Sequence, residues 1–114
     1  MPRYRGLTLR VMGPGAPAMG PGKAELIERI AQTGSISAAA RAMGMSYRRA
    51  WQLVEAINAA YREPVVVTAT GGQRGGGATV TPYGMRLAAQ FRAMEEKASA
   101  AIAADLKRFA RHLR

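Results

Sequence analysis

The chain has 114 residues, the size of one domain, and 17 Lys and Arg against 7 Asp and Glu give it a formal net charge of +10. Such an excess points to a polyanionic partner, and DNA, RNA or an anionic membrane would qualify. The absence of cysteine and a single histidine, His112, leave little for nucleophilic, acid–base or metal chemistry. We therefore expect a protein that is not an enzyme and has no cofactor. Because no secretory signal or bilayer-length apolar run occurs, we expect no membrane partner and a cytoplasmic location.

The N-terminal residues combine an alternating pattern with a loop composition. Leu7, Leu9 and Val11 alternate with polar residues, and this period of two predicts a half-buried strand within Arg3–Arg10. The next eleven residues, Met12–Gly22, contain four Gly and three Pro and therefore predict a loop.

A short amphipathic helix is predicted over Lys23–Gln32. Leu26, Ile27 and Ile30 share one face, and charged residues occupy the other. We expect this helix to pack on the two that follow and to complete a three-helix core.

The stretch from Gly34 to Trp51 predicts two helices joined by a tight turn. Ser35 is a suitable N-cap for a first helix around Ala38–Ala42, and Gly44 suits the left-handed residue after that helix. Ser46 can cap a second helix running from Tyr47 to about Arg62. This is the helix-turn-helix pattern, although a plain helical hairpin would share it.

The second helix of this motif begins with polar and positively charged side chains. Arg48, Arg49 and Gln52 are candidates for reading base edges, because Arg pairs bidentately with guanine and Gln with adenine. We expect Ser46 and Tyr47 to bond phosphates. The candidate DNA ligands of both helices are Ser35, Ser37, Ser46, Tyr47, Arg48, Arg49 and Gln52. Trp51 is expected to pack at the edge of the core, with a direct DNA contact as the alternative.

Two short strands around a Gly-rich connection predict a β-hairpin after the helix-turn-helix. The strands are Val65–Thr70 and Ala78–Thr81, and the connection is Gly71–Gly77. A hairpin at this position is a wing, and Arg74 at its tip is expected to contact phosphate or enter a minor groove. The alternatives are a floppy surface hairpin or a nucleotide-binding loop, but the latter lacks a Walker lysine.

One long helix is predicted from Pro82 to Leu113, about 48 Å at helical rise. Thr81 is its N-cap, and Gly84 is a weak point in its first turn. Apolar residues recur at steps of three and four and form a seam for a second copy, with a frayed monomeric tail as the alternative. The predicted dimerisation residues are Leu87, Phe91, Met94, Ile102, Leu106, Phe109 and Leu113.

Four segments together resemble the N-terminal domain of ModE-type molybdate-responsive regulators. They are Gly34–Ser37 with Ala40, Gly44–Trp51, Ala69–Ala78 and Thr81–Gly84. The resemblance implies a winged helix-turn-helix akin to the LysR-type module, which dimerises through long helices and binds DNA. Members of that family carry molybdate-binding Mop domains after this module. These 114 residues contain no segment of that kind, so the resemblance leads us to expect DNA binding and dimerisation but gives no ground to expect molybdate sensing.

The sequence therefore predicts an α+β fold that is mainly α: a winged helix-turn-helix with an N-terminal strand, a two-stranded wing and a long C-terminal dimerisation helix. Residues 1–81 form the DNA-binding domain and residues 82–114 the dimerisation helix of the same unit. The predicted function is a nucleoid-associated transcriptional regulator that binds a palindromic operator on double-stranded DNA as a homodimer. The alternatives are a non-specific architectural or RNA-binding protein and a protein-interaction adaptor on the same fold.

Overall fold

Helices carry most of the fold in the computed structural model, which describes residues 6–69 and 77–114. The described elements, in chain order, are β1 (Val11–Met12), β2 (Pro17–Met19), α1 (Pro21–Thr33), α2 (Ile36–Ala42), α3 (Tyr47–Ala60), β3 (Val66–Ala69), β4 (Gly77–Val80), α4 (Pro82–Ala101) and α5 (Ala103–Ala110). The mainly helical α+β prediction is confirmed. None of the described helices combines the length and hydropathy needed to cross a bilayer.

The first three helices share one hydrophobic core, as the apolar stripes predict. The buried side chains of this unit are Leu26, Ile27 and Ile30 of α1, Ile36, Ala39 and Ala40 of α2, and Ala50, Val54 and Ile57 of α3. The two alanines of α2 leave little bulk between the helices, so α3 can cross α2 closely. This packing fixes the direction of α3 in the molecule.

Helices α2 and α3 begin at the predicted capping residues, and the turn between them contains the predicted glycine. The Ser35 hydroxyl accepts a hydrogen bond from the Ala38 amide at 3.0 Å, and the Ser46 hydroxyl accepts one from the Arg49 amide at 3.0 Å. Gly44 has a φ of +69°, a left-handed conformation that glycine adopts without steric cost. The boundaries of α2 and α3 follow from these three residues.

The predicted wing strands form an antiparallel hairpin. Val66 pairs with Val80 and Ala69 with Gly77, and the residues that connect β3 to β4 lie outside the described part of the chain. Val66, Ala78 and Val80 are buried, so one face of the hairpin belongs to the core. The amide of Ala78 donates to the Gly34 carbonyl at 2.9 Å, which ties β4 to the corner between α1 and α2.

Helix α4 begins directly against the hairpin. The Thr81 hydroxyl accepts a hydrogen bond from the Gly84 amide at 2.9 Å and donates to the Pro64 carbonyl at 2.7 Å. A Cβ at Gly84 would lie 2.6 Å from the Val65 carbonyl oxygen and 2.9 Å from Cγ1 of Val80. The glycine that the sequence marks as a weak point in the helix is therefore what allows this close approach.

The predicted N-terminal strand is wrong in its position. Residues 6–10 are irregular, and the paired strands are β1, which begins one residue before the predicted loop, and β2, which lies inside that loop. A turn in which the Gly13 amide donates to the Ala16 carbonyl at 2.8 Å brings the Gly- and Pro-rich segment back as β2. The alternation of Leu7 and Leu9 indicates that their side chains share one side of the chain. It does not identify a partner strand, so it could not predict strand pairing.

The prediction of one continuous C-terminal helix is also wrong. Helix α4 ends at Ala101, and α5 begins at Ala103 after Ile102, whose φ and ψ are −111° and 11°. Leu106 of α5 lies against the N-terminal segment, since a Cβ at Gly6 would lie 2.8 Å from Leu106 Cδ2. The break thus accompanies a tertiary contact that apolar spacing along α4 and α5 does not reveal.

Candidate nucleic-acid interface

The outer face of α3 begins with exposed polar side chains. Tyr47, Arg48, Arg49 and Gln52 are all exposed, whereas Ala50 between them is fully buried. None of the four makes an ion pair with a described residue. The first two turns of α3 thus present hydrogen-bond donors and positive charge to the solvent.

The predicted serine ligands differ in whether their hydroxyls already accept hydrogen bonds as helix caps. The hydroxyls of Ser35 and Ser46 both accept from backbone amides as helix caps. Each hydroxyl proton remains available to donate, which suits a phosphate oxygen. Ser37 is exposed in the first turn of α2. Ser46 therefore lies at the end of the turn that carries Gly44, whereas Ser35 and Ser37 lie at the opposite end of α2.

Asn58 joins α3 to the wing and was not predicted as a functional or structural residue. Its side-chain amide donates to the Val66 carbonyl at 2.9 Å, and its oxygen accepts from the amides of Val65 and Val66 at 2.8 and 3.1 Å. These bonds set the position of β3 relative to α3. The sequence signal was an amide side chain on the half-buried side of an otherwise Ala-rich helix end.

Trp51 lies between α3 and the wing with 37% of its surface exposed. It lines a depression of about 320 Å³ whose other walls include Asn58 and Val66. Trp51 is thus one of the exposed large apolar side chains and not one of those packed against the core, so its expected packing at the core edge stays a prediction. Arg74, the predicted ligand at the wing tip, lies outside the described residues.

The predicted dimerisation seam is only partly available on the surface. Phe91 is 1% exposed and belongs to the core of the protomer, so its assignment to the seam is corrected. The sequence pattern could not distinguish Phe91 from dimerisation residues, because core residues and intermolecular contact residues recur at the same spacing along a helix. Leu87, Ile102 and Leu106 are half-buried, and Met94, Phe109 and Leu113 are exposed. Several large apolar side chains thus remain uncovered along α4 and α5.

An ion pair connects α4 to α1, the helix that packs on the helix-turn-helix. The Arg92 guanidinium donates to both carboxylate oxygens of Glu28 at 2.9 and 2.8 Å, and also to Glu95 at 2.8 Å. The hydrogen bond to Glu28 is the main reason that the pKa of Arg92 is raised. Arg92 therefore serves the fold, whereas the arginines at the start of α3 do not.

Among the residues that the structure describes, no group of three His, Cys, Asp or Glu side chains could hold a metal ion. The exposed surface at α3 is instead basic, and a basic helix start is suited to a polyanion.

Comparison with known proteins identifies the family. The model of the bacterial regulatory helix-turn-helix proteins of the LysR family matches residues 22–85, which is more than half of the chain. The chain belongs to this family. Its matched segment runs from α1 through the turn, α3 and the wing into α4, so the family assignment covers the surface described above.

Similar proteins include ModE regulators and molybdenum-pterin-binding proteins, in agreement with the resemblance predicted from the sequence. The chain is 49% identical to the molybdenum-pterin-binding protein MopB of Rhodobacter capsulatus over 77 residues, which are 68% of this chain and 28% of MopB. It is 40% identical to the molybdenum transport protein ModE of Azotobacter vinelandii over 78 residues, 68% of this chain and 29% of that protein. The DNA-binding transcriptional dual regulator ModE of Escherichia coli K12 is 43% identical over 67 residues, 59% of this chain and 26% of that regulator.

These similarities confirm the ModE-like helix-turn-helix predicted from the sequence. The chain spans less than a third of the length of each of these relatives.

Proposed function

We propose that this protein is a sequence-specific DNA-binding transcriptional regulator of the ModE type that binds its operator as a homodimer. The observation that carries the proposal is the start of α3, where Arg48, Arg49 and Gln52 are exposed on a helix whose opposite face is buried in the core. In helix-turn-helix proteins this end of the second helix enters the major groove. Such a regulator would act in the cytoplasm, at the nucleoid.

Arg48 and Gln52 are the base-reading residues that the spacing favours. They are four residues apart on α3, so they share a face and are separated by about 6 Å along the axis. Arg can pair with O6 and N7 of guanine, and Gln with N6 and N7 of adenine. Arg49 is the third candidate for a base edge. Tyr47 and the capping serines would bond phosphates and set the register.

The uncovered apolar residues of α4, α5 and the segment after α5 support the proposed homodimer. Met94, Phe109 and Leu113 expose 44%, 64% and 68% of their surface, which is a large apolar exposure for a chain of this size. Packing against a second copy would remove it from water. Two-fold symmetry then predicts a roughly palindromic operator, with half-sites one helical turn or a multiple apart.

Selection of genomic fragments tests the function directly. The purified protein is mixed with sheared genomic DNA in the presence of excess non-specific DNA, and the retained fragments are sequenced with and without molybdate. We expect a shared, roughly palindromic sequence among them. Retention without any shared sequence would instead identify an architectural nucleic-acid-binding protein, and no retention would identify an adaptor. A change in the retained set with molybdate would add ligand sensing, which the sequence does not predict.

A further inference from the structure

A basic depression lies beside the first turn of α3, and Arg49, the third candidate for a base edge, is one of its lining residues. Its volume is about 270 Å³, and residues from the N-terminal segment, α1, the α2–α3 turn and α3 line it. Since one water occupies roughly 30 Å³ in the liquid, the space can hold a small polyatomic ion and some of its hydration.

Three cationic side chains from separate parts of the chain line this depression. They are Arg10, which precedes β1, Lys23 of α1 and Arg49 of α3. No acidic residue is among its lining residues, and none of the three cations makes an ion pair with a described residue. Like charges brought together without a counter-charge repel one another, so this arrangement favours an anion between them.

The position of Lys23 is held by a hydrogen bond. Its ammonium donates to the Pro17 carbonyl of β2 at 2.7 Å, which leaves further donors of the same group for a ligand. The lining also includes Met19, Met43 and Leu53, so part of the wall beside the charges is apolar. A charge–charge attraction beside an apolar wall is less screened than one on an open surface.

From this geometry we infer that Arg10, Lys23 and Arg49 form a binding site for a tetrahedral oxyanion of the phosphate class. The source that fits the proposed function is a phosphodiester of the operator backbone, since Arg49 lies in the first turn of α3. The inference rests on that function for its biological role. It reassigns Arg49 from a base edge to a phosphate, and it adds Arg10 and Lys23 to the DNA contacts.

The free-anion test uses inorganic phosphate as the probe. Phosphate is titrated into ¹⁵N-labelled protein at constant ionic strength while the backbone amide signals of Gly22 and Lys23 are followed. We expect saturable shifts in the wild type and in the control Lys97→Gln, which removes the same charge from an exposed position of α4. The shifts should be lost in Arg10→Gln and Arg49→Gln, whose folding is checked by thermal unfolding.

The DNA test uses the duplex recovered by genomic selection. Arg10→Gln and Lys23→Gln should weaken binding to all sequences alike, and each should reduce the slope of log affinity against log salt by about 0.9, unlike Lys97→Gln. Replacing phosphates one at a time by neutral methylphosphonates should reveal one position at which the wild type loses affinity and Arg10→Gln loses no more.

The two tests together distinguish a backbone phosphate from a free oxyanion, and they distinguish failure of the oxyanion site from failure of the proposed regulator. Coupling between one methylphosphonate and Arg10 identifies a backbone phosphate, whereas phosphate shifts without such coupling identify a free oxyanion. If the variants match Lys97→Gln in both tests, the oxyanion site is wrong, even where genomic selection succeeds. If selection yields no shared sequence while the phosphate shifts persist, the site stands and the proposed regulator does not.

Discussion

Neighbouring arginines at the start of α3 have different surroundings, which makes their roles separable. Arg48 is exposed and lines none of the described depressions, while Arg49 lines the basic depression with Arg10 and Lys23. Adjacent helical positions point about 100° apart, so the two guanidinium groups need not reach the same part of a duplex. Replacing either arginine removes one positive charge, so the two variants can be compared without a difference in net charge.

We expect Arg48→Ala to cost about 1–3 kcal/mol on the selected operator and to relax base preference at one position. The physical reason is the loss of a bidentate contact to a base edge. Equilibrium binding to a set of single-base operator variants measures it, with Arg49→Ala as the control that weakens all variants equally. An Arg48→Ala protein whose loss is the same on every variant would rule out base reading by this residue.

Asn58 is the residue whose replacement should most disturb the relation between α3 and the wing. Asn58→Leu would leave the Val65 and Val66 amides and the Val66 carbonyl without the partners they have now. An unsatisfied buried group costs about 1–3 kcal/mol, so we expect at least that loss in unfolding free energy. Asn58→Asp keeps both accepting bonds and should lose less. Equal losses for the two variants in denaturant unfolding would contradict this role of the amide oxygen.

Tyr61 should make stability depend on pH in the alkaline range. Its hydroxyl donates to the Ala18 carbonyl at 2.9 Å, and burial, with a smaller contribution from Tyr83, raises its pKa above 10.0. The unfolded chain therefore loses this proton at lower pH than the folded one, and the stability it contributes declines as pH rises above 10.0. Denaturant unfolding between about pH 8 and about pH 11 should show a shallower decline for Tyr61→Phe than for the wild type. Parallel curves would remove Tyr61 as the cause.

Some of these residues could be recognised from sequence and others could not. The caps Ser35, Ser46 and Thr81 each accept from an amide three positions away, so local sequence suffices to predict them. Asn58 hydrogen-bonds to the backbone at positions 65 and 66. Its role therefore depends on where β3 packs relative to α3, which local sequence does not show. Phe91 was misassigned for a related reason, because burial within one protomer depends on the packing of distant elements.

At the scale of elements, the approach of α4 to the hairpin depends on a single missing side chain. We expect Gly84→Ala to destabilise the protein by about 1–3 kcal/mol, although alanine is the better helix former, because its Cβ would meet a backbone oxygen that cannot move independently. Ser99→Ala at an exposed position of α4 is the control for helix propensity. Thermal unfolding compares them, and a Gly84→Ala protein as stable as the wild type would mean that the hairpin can shift.

Elements set by local pattern were predicted well, and those set by tertiary contact were not. The three-helix unit and the wing strands appear within a few residues of their predicted positions. The β1–β2 pair was missed because Pro17 and its neighbouring glycines resemble a loop until a partner strand is known. The break at Ile102 was missed because the apolar spacing continues through it. Periodicity reports which face is apolar and not what covers it.

At the scale of the whole molecule, the apolar residues of α4 and α5 predict self-association. Sedimentation at micromolar concentration should report twice the chain mass of 12.2 kDa. Met94→Glu combined with Phe109→Glu should yield a monomer, because two buried charges would be unpaired in the dimer. Met85→Glu is the control, since Met85 is exposed to a similar extent on the opposite side of α4. A wild type that sediments as a monomer would remove the argument for a palindromic operator.

The ion pair from Arg92 to Glu28 has a consequence for how operators are distinguished. It links residues 64 positions apart, one on α4 and one on α1. Because α1 packs on the helix-turn-helix, the ion pair connects each DNA-binding unit to the helix that carries the proposed dimer contacts. Together with the packing of α1 on α4, the ion pair favours one orientation of each DNA-binding unit relative to α4, so in such a dimer the two units would have a preferred angular offset. Two half-sites displaced by about five base pairs from the preferred separation would lie on opposite sides of the duplex. The protein would then select binding sites by rotational phase as well as by base sequence.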